Sequence, residues 1–392
     1  MTQKSDVMTV PFHVSAVGEE EAQAAAEVIR SGWLTMGPKT FEFERQFAEY
    51  VGARHAVAVS SGTAALHLAL DAAGIQAGDE VLLPTTTFTA TGETVCYLGA
   101  KPVLVDVDPR SMNLDPADAA RRITSRTKVI IPVHLAGVPC EMQQIQELAS
   151  AHGLRVIEDA AHSLPASYRG TPIGALSEIT AFSFYATKTL TTGEGGMVTT
   201  ANEQVAERMR IMRLHGIERE AWKRYRADGS WFYQVLEAGF KYVMTDFQAA
   251  IGLVQLGKCD DLSAARQAIA DRYTAAFSGM AALQVPESYS DRKTSWHLYI
   301  LRLRTERLSI DRDAFVSELK RRGIGISVHF IPLHLHPFYQ KKFGYKPGDF
   351  PQAEAEYKHA FSLPIFPTMS GVEVEAVITA VSEVAQAFSR KS

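Results

Sequence analysis

Short apolar runs alternate with helix-patterned stretches between residues 56 and 200. The apolar runs, rich in β-branched residues, are 56–59, 80–83, 101–105, 127–131, 154–157, 179–184 and 196–200, and helical patterns occupy 64–73, 116–123 and 141–152. Such alternation is typical of a mainly parallel sheet with helices on both faces. The last two runs are too close in sequence for a crossover helix, so we predict one antiparallel strand there.

The flanking sequence predicts a second, smaller α/β unit. Helical patterns occur at 19–31, 40–50, 246–278, 311–322 and 371–388, and strand patterns occur at 297–303 and 326–330. We therefore predict an α/β fold with a large domain at 32–255, and a linking helix with a small C-terminal domain at 256–392. An N-terminal segment, 1–31, is expected to pack with the small domain.

Composition narrows the class of protein. The chain has 392 residues and a formal net charge of −4, which argues against nucleic-acid binding because that needs a basic surface. Its three cysteines are far apart, as expected of buried thiols in a reduced compartment. We see neither an apolar run of eighteen residues nor a signal-peptide pattern, so we expect a cytoplasmic protein without a membrane span.

A lysine and an aspartate near the ends of two predicted strands suggest a cofactor. Lys188 follows the run 179–184 and precedes a glycine-rich turn, and Asp159 lies two residues after the run 154–157. A partly desolvated lysine amine forms a Schiff base with an aldehyde, and a carboxylate keeps a pyridine nitrogen protonated. Most lysines are surface residues, but together these two are the groups that pyridoxal phosphate (PLP) requires.

A phosphate site is predicted where the first run ends and a helix begins. Ser61, Gly62 and Thr63 would present backbone N–H groups and hydroxyls at a helix N-terminus, with a glycine for close approach. A capped strand-to-helix turn is the alternative. The phosphate reading gains support because the candidate residues all follow strand ends, where α/β sheets bind ligands. These residues are Gly62, Thr63, Phe88, Asp159, Ser183 and Lys188. Phe88 either stacks on the cofactor ring or belongs to the core.

Several motifs together resemble a known family. They are Ser61-Gly62-Thr63-x-Ala65-Leu66, Glu158-Asp159-Ala160-Ala161-His162, Ser183-Phe184-x-x-x-Lys188 and Gly193-Glu194-Gly195-Gly196. Their order and spacing are similar to those of the nucleotide-sugar aminotransferases, the DegT/StrS family of fold-type I PLP enzymes. Further similarity, around Arg213, His215, His297 and His329 to His334, extends the resemblance from about residue 32 to beyond 337.

The resemblance implies roles for particular residues. Lys188 would be the Schiff-base lysine and proton carrier, and Asp159 the partner of the pyridine nitrogen. His162 would lie near the phenolic oxygen, and Ser183 with Ser61, Gly62 and Thr63 near the phosphate. In a homodimer with shared active sites, Lys241 would reach the neighbouring subunit's cofactor phosphate, where many members have Asn. Arg213, His215, His329 and His334 are the predicted substrate-binding residues.

The implied reaction is the transfer of an amino group, with L-glutamate as donor, to a nucleotide-linked keto sugar. Members that remove a hydroxyl carry histidine in place of Lys188, so amino transfer is favoured. Between 341 and 392 the only arginine is Arg390, which argues against a dedicated clamp for amino-acid carboxylates in that region. A PLP-dependent sugar dehydratase and a non-catalytic PLP-binding regulatory protein remain as alternatives.

Two clusters have more than one interpretation. Segment 208–226 has seven basic and two acidic residues with interleaved aromatics, which suits a nucleotide diphosphate, a solvated helix face or a dimer contact. His329, His334 and His336 suggest a metal site, but no cysteine or paired carboxylate accompanies them. We therefore predict pocket lining or packing for them and no metal.

Overall fold

The computed structural model describes residues 8–218 and 232–390. The helices are α1 (Glu19–Ser31), α2 (Pro38–Val51), α3 (Gly62–Ala72), α4 (Thr89–Tyr97), α5 (Pro116–Arg122), α6 (Met142–His152), α7 (Glu203–Met212), α8 (Asp246–Gly257), α9 (Cys259–Phe277), α10 (Arg312–Arg321), α11 (Pro337–Phe343), α12 (Pro351–His359) and α13 (Gly371–Ala387). The strands are β1 (His55–Val59), β2 (Glu80–Pro84), β3 (Lys101–Val105), β4 (Thr127–Ile130), β5 (Arg155–Asp159), β6 (Ser167–Tyr168), β7 (Thr171–Pro172), β8 (Ile179–Ser183), β9 (Gly196–Thr200), β10 (Leu283–Gln284), β11 (Arg292–Lys293), β12 (Tyr299–Leu303) and β13 (Ala360–Leu363).

A seven-stranded sheet organises the large part of the chain, in the order β1-β9-β8-β5-β4-β2-β3. Strand β9 runs antiparallel to both neighbours, whereas β8, β5, β4, β2 and β3 pair in parallel. Apolar cores cover both faces of the sheet: α3 and α7 supply residues to one, and α2, α6 and α8 to the other. These observations confirm the predicted fold class and the single antiparallel strand.

A smaller unit is built on the antiparallel sheet β10-β12-β13. Helices α9, α10 and α13 close its core, where Tyr273, Phe277, Tyr299, Phe315 and Phe361 are fully buried. A short third sheet, β11-β6-β7, joins β11 of the C-terminal part to a hairpin of the large part. Within the described ranges, no helix has both the length and the apolar character needed to cross a bilayer.

The N-terminal segment divides between two neighbours. Val10 is fully buried in the small core and pairs with Ile324. Helix α1 packs on α8 instead, where Gln255 Nε2 donates to Glu21 Oε1 at 2.9 Å and Lys258 Nζ lies 2.9 Å from the same oxygen. Residues around Val10 therefore pack with the small unit, whereas α1 packs on α8; the assignment of the whole segment 1–31 to the small domain stays a prediction. The domain boundaries themselves stay a prediction.

Several elements differ from the sequence predictions. The helical pattern 246–278 is two helices, because the chain turns at Lys258, which ends α8 and precedes α9. Residues 326–330 form no strand, and Ser327 makes only an isolated bridge to Ser362. Helix α4 was not predicted because threonines have weak helix propensity. Packing of its buried face, including Val95, against α3 stabilises it.

Candidate active site

A cavity of about 560 Å³ lies at the carboxyl ends of the central strands. Nine of the predicted residues line it: Ser61, Gly62, Thr63, Phe88, Asp159, His162, Ser183, Lys188 and His329. Eight of them lie in the loops after β1 and β2, at the ends of β5 and β8, or in the β8–β9 connection, whereas His329 comes from the segment between α10 and α11. The carboxyl ends of parallel strands lie at the same edge of a sheet, so residues that follow several different strands can line one cavity.

Lys188 reaches the cavity from the β8–β9 connection. Its backbone N–H donates to the carbonyl of Tyr185 at 2.9 Å, which closes a turn. Burial lowers the pKa of Lys188 to about 8, against a smaller opposing effect of the Asp159 charge. A sizeable fraction of this amine is therefore neutral near physiological pH, which a nucleophile or a general base requires.

Asp159 ends β5, with both carboxylate oxygens hydrogen-bonded. Thr91 Oγ1 donates to Oδ2 at 2.8 Å, and the backbone N–H of Ala161 donates to Oδ1 at 3.1 Å. Burial raises the pKa of Asp159, and the Thr91 hydroxyl, the Ala161 N–H and the charge of Lys188 oppose that rise. The Thr91 hydroxyl also lies 2.8 Å from that of Thr87. Because Thr91 gives its proton to Asp159, Thr87 is the donor in that second bond.

His162 has a defined tautomer. The backbone N–H of Ala136 donates to its Nδ1 at 3.3 Å, so in the neutral ring the proton lies on Nε2. Burial, and then the charge of Lys188, lowers the pKa of His162 well below its usual value, so the ring is neutral. His162 thus has an N–H to donate within the cavity.

Close backbone approach at one end of the cavity requires two glycines. A Cβ on Gly62 would lie 2.7 Å from Ser183 Cβ, and a Cβ on Gly196 would lie 2.4 Å from the carbonyl oxygen of Ser61. Ser61 Oγ caps α3 by accepting from the N–H of Ala64 at 3.1 Å. The first N–H groups of α3 have no helical acceptor, so an anion fits there.

Phe88 is not a core residue. It is 58% exposed, lines the cavity, and its ring centroid lies 5.9 Å from that of Phe330. This placement removes the core interpretation and leaves the ring face available to a planar ligand.

Two predicted substrate-binding residues are buried outside this cavity. Arg213 is 2% exposed, forms an ion pair with Glu44 and donates to the carbonyl of Ala58 at 2.7 Å. His334 is fully buried, with Nδ1 2.8 Å from Thr85 Oγ1 and Nε2 3.0 Å from Glu354 Oε1. Neither side chain can contact a substrate in this arrangement, so both predictions are corrected to structural roles.

Two further predicted residues, His215 and Lys241, lie on the surface beside each other. Their segments pair, since the N–H of His215 donates to the carbonyl of Phe240 at 2.7 Å and Leu214 bridges Lys241. Neither lines the cavity of its own chain. Both side chains are therefore accessible to another molecule, and their roles stay predictions.

The basic segment is only partly described. Arg208 pairs with Asp71 and Glu237, and Arg210 lies near Glu203 and Glu207. The predicted basic residues from 219 to 226 lie outside the described residues. Within the described ranges, no group of three or more His, Cys, Asp or Glu side chains is arranged to hold a metal ion.

Some cavity residues were not predicted. Thr91 holds Asp159, and His297, Phe12 and Phe330 form part of the wall. Thr91 belongs to a threonine-rich run, 85–91, that signals polarity but not a partner. His297 lies in a segment that matched the family, although the match assigned it no role.

The fold and the cavity define a class of protein. A lysine of lowered pKa faces a buried strand-end carboxylate, beside a helix N-terminus that accommodates an anion, as in PLP-dependent aminotransferases of fold type I. The DegT/DnrJ/EryC1/StrS aminotransferase family matches residues 15–382, and the chain belongs to this family.

Individual relatives extend this result. The chain is 50% identical over 374 residues to the uncharacterised protein MJ1066 of Methanocaldococcus jannaschii, covering 95% of this chain and 97% of that protein. It is 47% identical over 376 residues to the spore coat polysaccharide biosynthesis protein SpsC of Bacillus subtilis, covering 96% and 97%. The putative sugar aminotransferase Spr1654 of Streptococcus pneumoniae, solved in a PMP form, superposes with a TM-score of 0.90 at 32% identity, covering 97% and 98%.

The predicted family, enzyme class and cofactor are confirmed: the chain is a PLP-dependent sugar aminotransferase. The residues present fit PLP. Lys188 can hold its aldehyde carbon, Asp159 its ring nitrogen, and the N-terminus of α3 its phosphate.

Proposed function

We propose that this enzyme transfers an amino group from L-glutamate to a keto sugar carried on a nucleotide, as a cytoplasmic homodimer with shared active sites. The observation that carries the proposal is the pairing of Lys188 with Asp159 in one cavity whose remaining walls fit PLP. The relationship to SpsC, a protein of spore coat polysaccharide biosynthesis, supports a sugar made for a polysaccharide.

PLP, when bound, supplies an electron sink that stabilises negative charge at the carbon that exchanges its amino group. The Lys188 amine holds the cofactor between reactions and, once released, removes a proton from one carbon and returns it to another. A pKa of about 8 suits both directions, because proton transfer is most effective when the pKa lies near the working pH.

Asp159 and His162 orient and polarise the cofactor ring. The Asp159 carboxylate would accept a hydrogen bond from the protonated pyridine nitrogen, and its hydrogen bonds to Thr91 and Ala161 hold it in position. The Nε2–H of His162 is available to the phenolic oxygen, because Ala136 occupies Nδ1. Both contacts favour the electron-poor ring on which amino transfer depends.

The cavity wall suits a hydroxylated substrate. Among its described residues it has threonines and histidines but no arginine, so no bidentate clamp for a carboxylate lies in this chain's own wall. His329 is neutral there, since burial and the charge of Lys188 lower its pKa to about 4. A neutral imidazole can donate and accept hydrogen bonds with sugar hydroxyls.

The neighbouring subunit would complete the site. Lys241 is exposed outside its own cavity, and we assign it to the phosphate of the partner's cofactor as a point charge. The basic residues between 219 and 226 are the remaining candidates for binding the nucleotide diphosphate.

The test follows the visible spectrum of the PLP-loaded protein while L-glutamate is added. Loss of the yellow band, followed by its return with a nucleotide-linked keto sugar and formation of an amino sugar by mass spectrometry, is the expected result. Lys188→Ala should keep the fold and some PLP while losing both spectral changes. A deoxy product would instead indicate dehydration, and a band insensitive to every donor would indicate a non-catalytic protein.

A further inference from the structure

A second, much smaller cavity lies beside the one that holds Lys188. Its volume is about 30 Å³, and its polar wall consists of His13, Thr187, His297 and His329. His297 and His329 also line the larger cavity, and Thr187 precedes Lys188 in the chain. We call this cavity the histidine niche.

The niche has the size and polarity of a water site. A buried cavity holds a water molecule when it offers about 10–15 Å³ or more of probe-occupied space and two to four polar partners. The niche exceeds that space, although it is far too small for a sugar or an amino acid.

The imidazoles of the niche are neutral, so each has one donor and one acceptor nitrogen. Burial lowers the pKa of His13 and of His329 to about 4, and that of His297 well below its usual value. His13 Nε2 lies 3.2 Å from the carbonyl of Ala186 and must carry the proton, which leaves Nδ1 as an acceptor. His329 Nδ1 is engaged with Ser362 Oγ at 2.8 Å, which leaves Nε2.

His297 presents a polar atom without a protein partner. The side chain is 6% exposed, and its Nδ1 has no hydrogen-bond partner among residues 8–218 and 232–390. A buried polar atom in that condition is costly and indicates a bound water or ligand.

The backbone around His297 is firmly held. Trp296 has a φ of 50°, which is unfavourable for a residue with a Cβ. Arg266 donates to the carbonyls of Trp296 and His297 at 3.3 and 3.4 Å, and the N–H of Ser295 donates to the carbonyl of Gly137 at 3.2 Å. A strained segment persists only where its surroundings determine it, and such segments cluster at functional sites.

We propose that the histidine niche binds one water molecule among the imidazoles of His13, His297 and His329, and that this water takes part in amino transfer. The second half of this proposal rests on the proposed function. In the donor half-reaction the water oxygen becomes the carbonyl oxygen of the keto acid, and its two hydrogens pass to the nitrogen left on the cofactor. In the acceptor half-reaction the ketone oxygen of the sugar leaves with two hydrogens from that nitrogen, which regenerates the water.

The water site is tested by crystal structures of the PLP-loaded wild type and of His297→Phe, at a resolution that shows ordered water. We expect one water in the wild-type niche, within hydrogen-bond distance of at least two of its polar side chains. The phenylalanine variant should lack it. A wild-type niche without water, or filled by a side chain, would overturn the proposal.

The role in catalysis is tested by single-turnover spectroscopy of the donor half-reaction, with L-glutamate or any L-amino acid that reacts. His297→Phe and Thr187→Val should each slow it on the order of tenfold, as expected for one lost hydrogen bond. His297→Gln should restore part of the rate. Ile145→Val, which removes one methyl group from a buried isoleucine of α6 that lines neither cavity, should leave the rate unchanged.

The two proposals fail separately. Unchanged rates in both His297→Phe and Thr187→Val would refute the role of the water even if crystals show it. If no amino acid reacts with the wild type, the proposed function fails, whereas the crystal structures still decide whether the niche binds water.

Discussion

The hydroxyl of Thr91 is expected to keep Asp159 ionised and aligned, and Thr91→Val tests this with almost no change in shape. Thr91 Oγ1 lies 2.8 Å from Asp159 Oδ2, and the two residues are 1% and 5% exposed. A hydrogen bond to a charged group contributes about 1.5–3 kcal/mol, and here water cannot replace it readily. Its loss raises the pKa of Asp159 further, in the direction in which burial already acts.

If that free energy is used to hold the charged carboxylate against the cofactor's ring nitrogen, the variant should lose about 10- to 100-fold in the rate of the donor half-reaction. The assay is single-turnover absorbance with L-glutamate, together with a titration of PLP into the apoprotein, where affinity should fall as well. Because the variant keeps the volume of the side chain but leaves a buried acceptor without its donor, urea unfolding of the apoprotein should show a loss of about 1–3 kcal/mol, without the larger loss expected of a cavity.

Two controls separate the hydroxyl from the packing around it. Thr91→Ser keeps the donor and should stay within about threefold of the wild-type rate. Thr87→Val removes only the hydroxyl that donates to Thr91, so its effect should be smaller than that of Thr91→Val. Wild-type rates and PLP affinity in Thr91→Val would refute the reasoning.

Three further predictions use the same geometry. The rate of PLP capture by the apoprotein should rise as pH increases through about 8 and level off above it, because only the neutral Lys188 amine reacts. A capture rate that stays constant across this range, followed by stopped-flow absorbance, would contradict the lowered pKa of Lys188. Gly62→Ala should destabilise the protein by about 1–3 kcal/mol in urea unfolding and weaken PLP binding, because the added Cβ would clash with Ser183. The control is Gly257→Ala, where the added Cβ meets open space, and it should be neutral or stabilising. Arg213→Gln should lower stability by about 3–5 kcal/mol because it breaks a buried ion pair, and a raised KM for the sugar with unchanged unfolding would restore the substrate role.

Much of the fold follows from local patterns. The strands of the main sheet were predicted to within about two residues, because each is a buried β-branched run bounded by polar turns. The antiparallel direction of β9 followed from the shortness of its connection to β8. Helix α4 was missed because its stability comes from packing and not from its threonine-rich sequence.

Some residues of the candidate site could likewise be predicted from the sequence, and others could not. The proximity of Lys188 and Asp159 could be predicted from the sequence, because residues that follow parallel strands lie at one edge of a sheet. Thr91 could not be assigned, since its role depends on where α4 lies relative to β5. His297 could not be assigned either. It belongs to the C-terminal part of the chain, in a segment held by Arg266, and it lines a cavity formed mainly by the large part.

The sequence alone determined the sheet and the cofactor and predicted Lys188 as the residue that holds it, because these depend on periodicity and on motifs that are short and local. Only the tertiary structure decided which motif residues face the cavity. Arg213 and His329 are both basic residues within motifs shared with the family, yet one is sealed in an ion pair with Glu44 and the other lines the site. Burial is a property of the packed chain, and a side chain's chemistry depends on which groups packing places around it.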